Sequence, residues 1–338
     1  MNKFIFTAAA MAAASSVSFA NNGDWLELDK DIASLSTTVA AADSASIGGL
    51  VRTSFRDAGT TGGFVQEDID LWAQGSLEEF TWRVSFDMDS GSAVLEDAYV
   101  AWSYDSGMTV VMGQFKAPAL RSAIIDPENL QFIDRSNLGA VHDFWDTGLG
   151  VMGDIQDGLS YALAVRDGYS AGPVWGDDSE ELFWFAHLNY EIGNGLSPVE
   201  GGMKAGEELD AAIGVSWWDM EDDSLDPVLT VDVAATMGQI SGSLELADSG
   251  DAGDNILGAL AGMGTNPMAI TLGYLFADNM EAGYRYEDYD DAGDNTKSTF
   301  GLNYYMHGHN AKWQLNYIDD DLASDETLAL GLTVGASR

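Results

Sequence analysis

The chain has 338 residues, 14 Lys and Arg against 55 Asp and Glu, a net charge of −41 and no cysteine. This excludes a disulfide framework, a thiolate metal site and a cysteine nucleophile. A chain this acidic repels nucleic acid rather than neutralising its phosphates, and 46% hydrophobic residues are ample material for folding.

The first twenty residues read as an address. Lys3 precedes the apolar, small-residue run Phe4 to Ala14, and Ser18-Phe19-Ala20 supplies small residues before a cut after Ala20. That is the pattern of a secretory signal peptide over 1–20. Beyond it no apolar run is long enough to cross a bilayer as a helix. Residues 21–46 form an N-terminal, periplasmic segment in this reading. In Asp24 to Val39, the residues Trp25, Leu28, Ile32, Leu35 and Val39 fall at alternating spacings of 3 and 4. They predict a short helix, and both a coiled coil and a single amphipathic helix satisfy the spacing.

From Ile47 the period becomes 2, and 47–338 reads as one barrel. Phe80, Trp82, Val84, Phe86 and Met88 alternate with Arg83, Ser85 and Asp87; Trp313, Leu315 and Tyr317 alternate with Lys312, Gln314 and Asn316. The alternation predicts strands at 47–56, 67–75, 80–89, 94–104, 108–116, 147–156, 159–168, 182–192, 208–219, 226–237, 239–248, 267–277, 279–289, 297–307, 310–319 and 326–336. That is sixteen strands of transmembrane length, in an even number as closed antiparallel barrels require. Connections alternate long (57–66, 117–146, 169–181, 249–266, 290–296) with short (105–107, 157–158, 238, 278, 308–309), the asymmetry of an up-and-down transmembrane β-barrel. Residues 193–207 break the rule, being long and Gly-rich where a short turn belongs; they mark a misplaced strand or an insertion. Trp72, Phe80, Trp102, Tyr104, Tyr190, Trp217, Trp218, Tyr286 and Tyr317 sit near strand ends, where a lipid boundary would hold rings. The polar faces carry Arg52, Arg83, Asp87, Asp97, Arg166, Arg285 and Lys312, which a dry core would not accept but a wet lumen would.

The longest connection, 117–146, mixes charges with Leu120, Ile124, Ile125, Leu130, Phe132, Ile133, Phe144 and Trp145. A solvated loop has no use for these; a loop folded inward and packed on the barrel wall does. Around it the sequence resembles the phosphate-selective porin O and P family, in Asp97-Ala98-Tyr99-Val100, Gly113-Gln114-Phe115-Lys116-Ala117-Pro118, Thr147-Gly148-Leu149-Gly150-Val151 with Gly153, and Tyr161 to Gly168. The resemblance covers roughly residues 94–168. It implies a sixteen-stranded homotrimeric porin of a Gram-negative outer membrane, with a third loop that narrows the pore. Two features depart from that family. Its phosphate selectivity needs a dense lining of Arg and Lys, whereas 13 basic residues lie past residue 20 here, and the chain ends Val334-Gly335-Ala336-Ser337-Arg338 rather than in an aromatic residue.

The charges suggest a pore mechanism. Arg52, Arg83, Asp97, Arg166 and Arg285 are expected on the lumen wall. Lys116, Arg121, Asp126, Glu128, Asp134 and Arg135 are expected at the constriction, basic groups on the wall facing carboxylates on the loop, in a transverse field that orients and sieves polar solutes. Acidic outer loops, such as Asp219 to Asp226 and Asp248 to Asp254, concentrate cations at the mouth. The expected function is a passive channel for ions and small polar solutes with weak to moderate cation preference. A secreted acidic soluble β protein (an adhesin or carbohydrate-binding domain) and an anion- or phosphate-selective porin are the alternatives.

No cofactor or metal is expected. Asp-Ala-Gly-Asp-Asn at 251–255 and 291–295 lacks calcium-loop spacing and reads as a polar turn. His307-Gly308-His309 has no carboxylate to complete a metal set. Ser136, His142, Asp143 and Asp146 invite a hydrolase reading, but no nucleophile elbow or zinc-protease motif accompanies them, so the chain does not read as an enzyme.

Overall fold

The computed structural model describes residues 45–89, 91–167, 182–219, 226–251, 257, 262–323 and 325–335. The expected signal peptide and heptad helix lie outside them. The described strands are β1 (Ser46–Asp57), β2 (Gly62–Leu77), β3 (Phe80–Asp87), β4 (Val94–Ser103), β5 (Thr109–Lys116), β6 (Trp145–Gln156), β7 (Leu159–Arg166) and β8 (Phe183–Ile192). The second half is β9 (Asp210–Asp219), β10 (Val228–Met237), β11 (Ile240–Asp248), β12 (Met268–Ala277), β13 (Met280–Asp288), β14 (Thr296–Tyr305), β15 (Ala311–Asp320) and β16 (Asp325–Gly335). All pair with their sequence neighbours, antiparallel, and β1 closes on β16 from Leu50↔Gly335 to Asp57↔Leu328. A closed cylinder leaves no unpaired strand edge, as spanning a bilayer with strands requires.

The alternation holds around the wall. On β15, Lys312, Gln314 and Asn316 are buried inside while Trp313, Leu315 and Tyr317 face out. Trp82, Val100, Met112, Leu149, Leu163 and Leu188 join that outer apolar surface. Two features differ from the sequence reading. Residues 57–66 are not a long loop: β1 and β2 pair out to Asp57↔Gly62, and Ala58–Thr61 form a tight turn with Gly59 at φ +75°. The Gly62-Gly63 pair reads as loop, yet edge-to-face packing of Phe55 on Phe64, centroids 5.3 Å apart, extends the ladder through it. Trp72 and Trp218 are not boundary rings; both point into the barrel, 4% and 2% exposed.

Candidate functional site: the lumen and its inserted loop

Residues 117–144 cross the barrel interior between β5 and β6. Pro118, with no N–H to offer, ends the β5 ladder. The loop then makes α1 (Arg121–Ile124), a 3-10 turn (Pro127–Asn129) and α2 (Asn137–Val141). Ser136 caps α2 by accepting the Gly139 N–H at 3.0 Å. The apolar residues of the loop explain its position. Leu120, Ala123 and Leu138 pack with Phe183, Trp218, Val228 and Tyr289 in a dry cluster against the far wall.

Polar staples fix the loop backbone, satisfying groups that irregular structure inside a barrel would otherwise leave bare. The Ala119 carbonyl accepts from Ser216 Oγ at 2.7 Å and Thr230 Oγ1 at 2.8 Å. The Gln131 carbonyl accepts from Asn303 at 2.8 Å and Gln314 at 3.1 Å, and the Leu130 carbonyl accepts from Lys312. The loop's N–H groups at Ser122, Ile133 and Asn137 donate to Glu245, Asn316 and Glu287 at 3.0, 2.8 and 2.5 Å. Arg56 grips both oxygens of Asp134, at 3.0 and 2.5 Å. Burial pushes the Asp134 carboxyl up, but that guanidinium pulls it down further, below the usual carboxylate range. Apart from Lys116 at the end of β5, the anchors lie on β1 or the β8–β16 side, so the loop leans on one side of the lumen.

A row of glycines makes the seat. Gly273, Gly283 and Gly301 are direct cross-strand partners on β12, β13 and β14. A Cβ at Gly301 would lie 2.8 Å from the Phe132 ring, and one at Gly283 3.0 Å from it. Phe132 is fully buried there, with the Arg285 guanidinium 4.9 Å from its ring. Gly301→Leu is expected to unseat Phe132 and cost about 1–3 kcal/mol, the range for overpacking. Calorimetric melting and limited proteolysis at 117–144 check it: faster loop cleavage is expected, and unchanged cleavage would mean that the row is not the seat.

The irregular residues 193–209 are an insertion, and it folds into the barrel beneath the loop. Glu200 N–H donates to the Asn129 carbonyl at 2.9 Å, and the Glu200 carboxylate accepts the Gln131 N–H at 2.8 Å. Arg121 donates to the Ser197 and Val199 carbonyls. Gly202 N–H reaches Glu281 at 2.6 Å, and at Gly201, with φ +82°, a Cβ would sit 2.5 Å from that carboxylate.

Among the described residues, the side from β1 to β6 is left open. One space of about 410 Å3 is lined by Arg83, Asp97, Tyr99, Lys116, Ile124, Asp126 and Trp145. Another of about 420 Å3 is lined by Arg52, Glu67, Asp68, Asp134, Arg135 and Asp143. Two β-bulges shape this wall. The register slips between Arg52 and Thr53, and Glu67 and Asp68 both turn inward, to Arg56 at 2.8 Å and Arg52 at 2.5 Å. It slips again between Val84 and Phe86, and the Ser85 hydroxyl lies 3.2 and 3.1 Å from the Glu96 and Asp97 carboxylates. A bulge spends one extra residue to re-aim a side chain; here each one aims two consecutive carboxylates into the lumen. Arg83 holds Asp97 at 2.7 Å, Trp145 Nε1 donates to Asp97 at 3.0 Å, and Lys116 lies 4.1 Å from the Trp145 ring.

The residues expected at the constriction therefore divide. Lys116, Asp126, Asp134 and Arg135 border the open side, with Asp143 bridging Lys116 and Arg135. Arg121 lies behind the loop and Glu128 is fully buried. Of the expected wall residues, Arg52, Arg83 and Asp97 border the open side. Arg166 is fully buried among the Phe115, Phe144 and Phe183 rings, and Arg285 is buried beneath the loop, donating to the Asp134 carbonyl at 2.9 Å. Bases on the wall (Arg52, Arg83, Lys116) and carboxylates on the loop (Asp126, Asp134) do border the open side, but acidic pairs also stand on the wall and Arg135 on the loop. Sequence alternation missed Glu67 and Glu96 because a bulge reverses it locally; two adjacent acidic residues inside a strand are the signal.

The hydrolase candidates do not assemble. Ser136 Oγ donates to Glu245 at 2.9 Å, and His142 Nδ1 is 2.7 Å from the Leu138 carbonyl. Likewise Asp291 folds back onto Asn295, at 2.8 and 2.6 Å, in a self-contained turn. His142 is fully buried against Trp218, and burial, partly opposed by the Leu138 carbonyl, holds its pKa down to about 4. It is neutral in the packed loop, and an unpacked loop takes up a proton near pH 6.5. Packing therefore weakens as pH falls from about 6.5 to about 4, by about 3 kcal/mol in all. Amide exchange at 138–143, corrected for intrinsic rates, is expected to accelerate over that window and to stay flat in His142→Gln.

No family model matches the chain, and no curated protein does. Solved structures do. A structure described as "Asymmetric conductivity of engineered proteins" matches with TM-score 0.59 over 86% of this chain and 100% of its own, at 14% identity. Two triple mutants of the Rhodopseudomonas blastica porin match with the same TM-score and coverage at 15% and 14% identity. The chain has the sixteen-stranded porin fold. At this identity the likeness is one of fold. The narrower resemblance to the phosphate-selective family, carried by motifs between Asp97 and Gly168, has no matching family model behind it.

Proposed function

We propose that the chain is an outer-membrane porin, a passive water-filled channel for ions and small polar solutes, acting as a homotrimer and preferring cations. The observation that carries this is the open, charged side of the lumen, left free because the inserted loop 117–144 (loop 3) packs mainly on β1 and the β8–β16 side. Along it stand Glu67, Asp68, Asp70, Asp87, Glu96, Asp97, Asp126, Asp134 and Asp143 against Arg52, Arg56, Arg83, Lys116, Arg135 and Lys297, nine carboxylates to six cations. Opposed charges across a narrow passage set up a transverse field, and the surplus of carboxylates favours cations. Asp226, Asp248, Asp251 and the acidic segment 288–294 add to it at the mouth, most strongly at low salt.

The apolar exterior supports the membrane over a secreted soluble protein, since a barrel exposing Trp82, Val100, Met112, Leu149 and Leu163 to water would aggregate. Phosphate selectivity finds little support in a lining with an acidic surplus.

Liposome swelling tests the reading. Vesicles carrying the purified barrel are expected to swell in isotonic small sugars and amino acids, faster for smaller solutes. Vesicles with correctly inserted protein that stay impermeable would overturn it. Chemical crosslinking in detergent tests the trimer, and a monomer ladder without a trimer band would remove that part.

A further inference from the structure

Behind loop 3, the 193–209 insertion and the β9–β12 wall enclose a second space, about 330 Å3, separate from the open side. It has room for roughly ten water-sized groups, and exposed Lys204 and Gly206 lie at its rim. Its lining is charged unevenly. Glu200, Asp210, Asp232 and Glu245 are set against Arg121 and Lys204. Among the described residues none of those four carboxylates has a Lys or Arg within salt-bridge distance. Their partners are neutral donors: Ser122 N–H and Ser136 Oγ for Glu245, Gln131 N–H for Glu200, Asn194 N–H for Asp210. Arg121 is occupied by the carbonyls of Ser197 and Val199.

A second observation points to an occupant. Gln131 and Ser241 line the same space, fully buried and 5% exposed. Neither end of the Gln131 amide, nor the Ser241 hydroxyl, has a hydrogen-bond partner among the described residues. Buried polar groups are normally paired, and leaving them bare is costly. The acceptors among these bare groups, the Gln131 amide oxygen and the Ser241 hydroxyl oxygen, lie beside surplus negative charge and call for a guest that brings both donors and positive charge; such a guest does not serve the Gln131 Nε2 donor.

We propose that this cavity binds a small organic cation bearing several N–H donors, of roughly ten non-hydrogen atoms or fewer. Its N–H groups donate to the Asp232 and Glu245 carboxylates, the Ser241 hydroxyl and the Gln131 amide oxygen. Loop 3 roofs the site and the insertion floors it. Binding at equilibrium needs no conduction, so the site stands or falls apart from the channel reading.

Calorimetric titration of agmatine, a guanidinium-ammonium dication, into the detergent-solubilised barrel at low salt tests it. Saturable binding at one per chain is expected, weakened by about tenfold or more in Asp232→Asn/Glu245→Gln, as loss of charged hydrogen bonds requires. Should that double variant fail to yield a heat-modifiable barrel, Asp232→Asn alone serves, since it keeps an acceptor at that position. Absence of saturable binding, binding unchanged in the variant, or equal binding by a bis(trimethylammonium) alkane, which lacks N–H donors, would overturn the proposal. Bilayer conductance measured on the same preparation keeps the two readings apart: a conducting barrel that ignores agmatine refutes the site and leaves the channel intact.

Discussion

Converting Glu67, Asp68, Glu96 and Asp97 to their amides is expected to abolish the cation preference of the pore. These four residues stand at the two bulges, directly on the open side. Removing them takes the lining from nine carboxylates against six cations to five against six. Arg52, Arg56 and Arg83 each lose a carboxylate partner and turn toward the solute path. The reversal potential under a salt gradient should move to near zero or cross into anion preference. Neutralising Asp126, Glu128 and Asp134 together should do less. Glu128 is fully buried and Asp134 is held by Arg56, which leaves Asp126 as the one of the three without such restraint. If the loop trio shifts the potential more than the bulge quartet, selectivity resides on the loop rather than the wall. Breaking partly buried ion pairs is destabilising, so the heat-modifiability of each variant on gels must be checked beside its currents.

Replacing residues 197–204 with Gly-Gly is expected to turn a quiet channel into a flickering one. The change removes the Glu200 bonds to Asn129 and Gln131 and the two carbonyls that hold Arg121. Each such bond contributes about 1 kcal/mol net. Losing several should raise the frequency of brief closures by at least about tenfold, because loop 3 keeps its apolar seat but loses its floor. Conductance and noise identical to the parent would show that the insertion does not hold the loop. Glu200→Gln, which keeps an acceptor for the Gln131 N–H, should be nearly silent and serves as the control for a general effect of altering this turn.

The barrel was legible in the sequence because lipid on one side and water on the other force a strict alternation, as in Trp313, Leu315 and Tyr317 against Lys312, Gln314 and Asn316. The inward loop was legible for a related reason: Leu120, Leu130, Phe132 and Ile133 are apolar where a solvated connection has no need of them. What the sequence concealed depends on contacts between distant segments. Arg166 and Arg285 read as wall charges facing water, yet one lies among three phenylalanine rings and the other beneath the loop. Alternation reports which face a residue takes, not what covers that face. The bulges escaped for a second reason, since one inserted residue inverts the pattern for only a few positions and the apolar rhythm resumes beyond it. The insertion was visible as an anomaly, but nothing in residues 193–207 alone says that it folds inward to meet Asn129 and Gln131. The Gly273–Gly283–Gly301 row becomes meaningful once the strand register sets the three side by side.

The central claim is that the space between loop 3 and β1–β6 conducts. Single-channel recording of the purified barrel in a planar bilayer, under a potassium chloride gradient, tests it most directly. Stable open steps with a cation-selective reversal potential, narrowed when Asp126 or Tyr99 is replaced by Trp on the open side, are the result the account predicts. Correctly inserted barrels that pass no current, or currents indifferent to Trp at both positions, would contradict it.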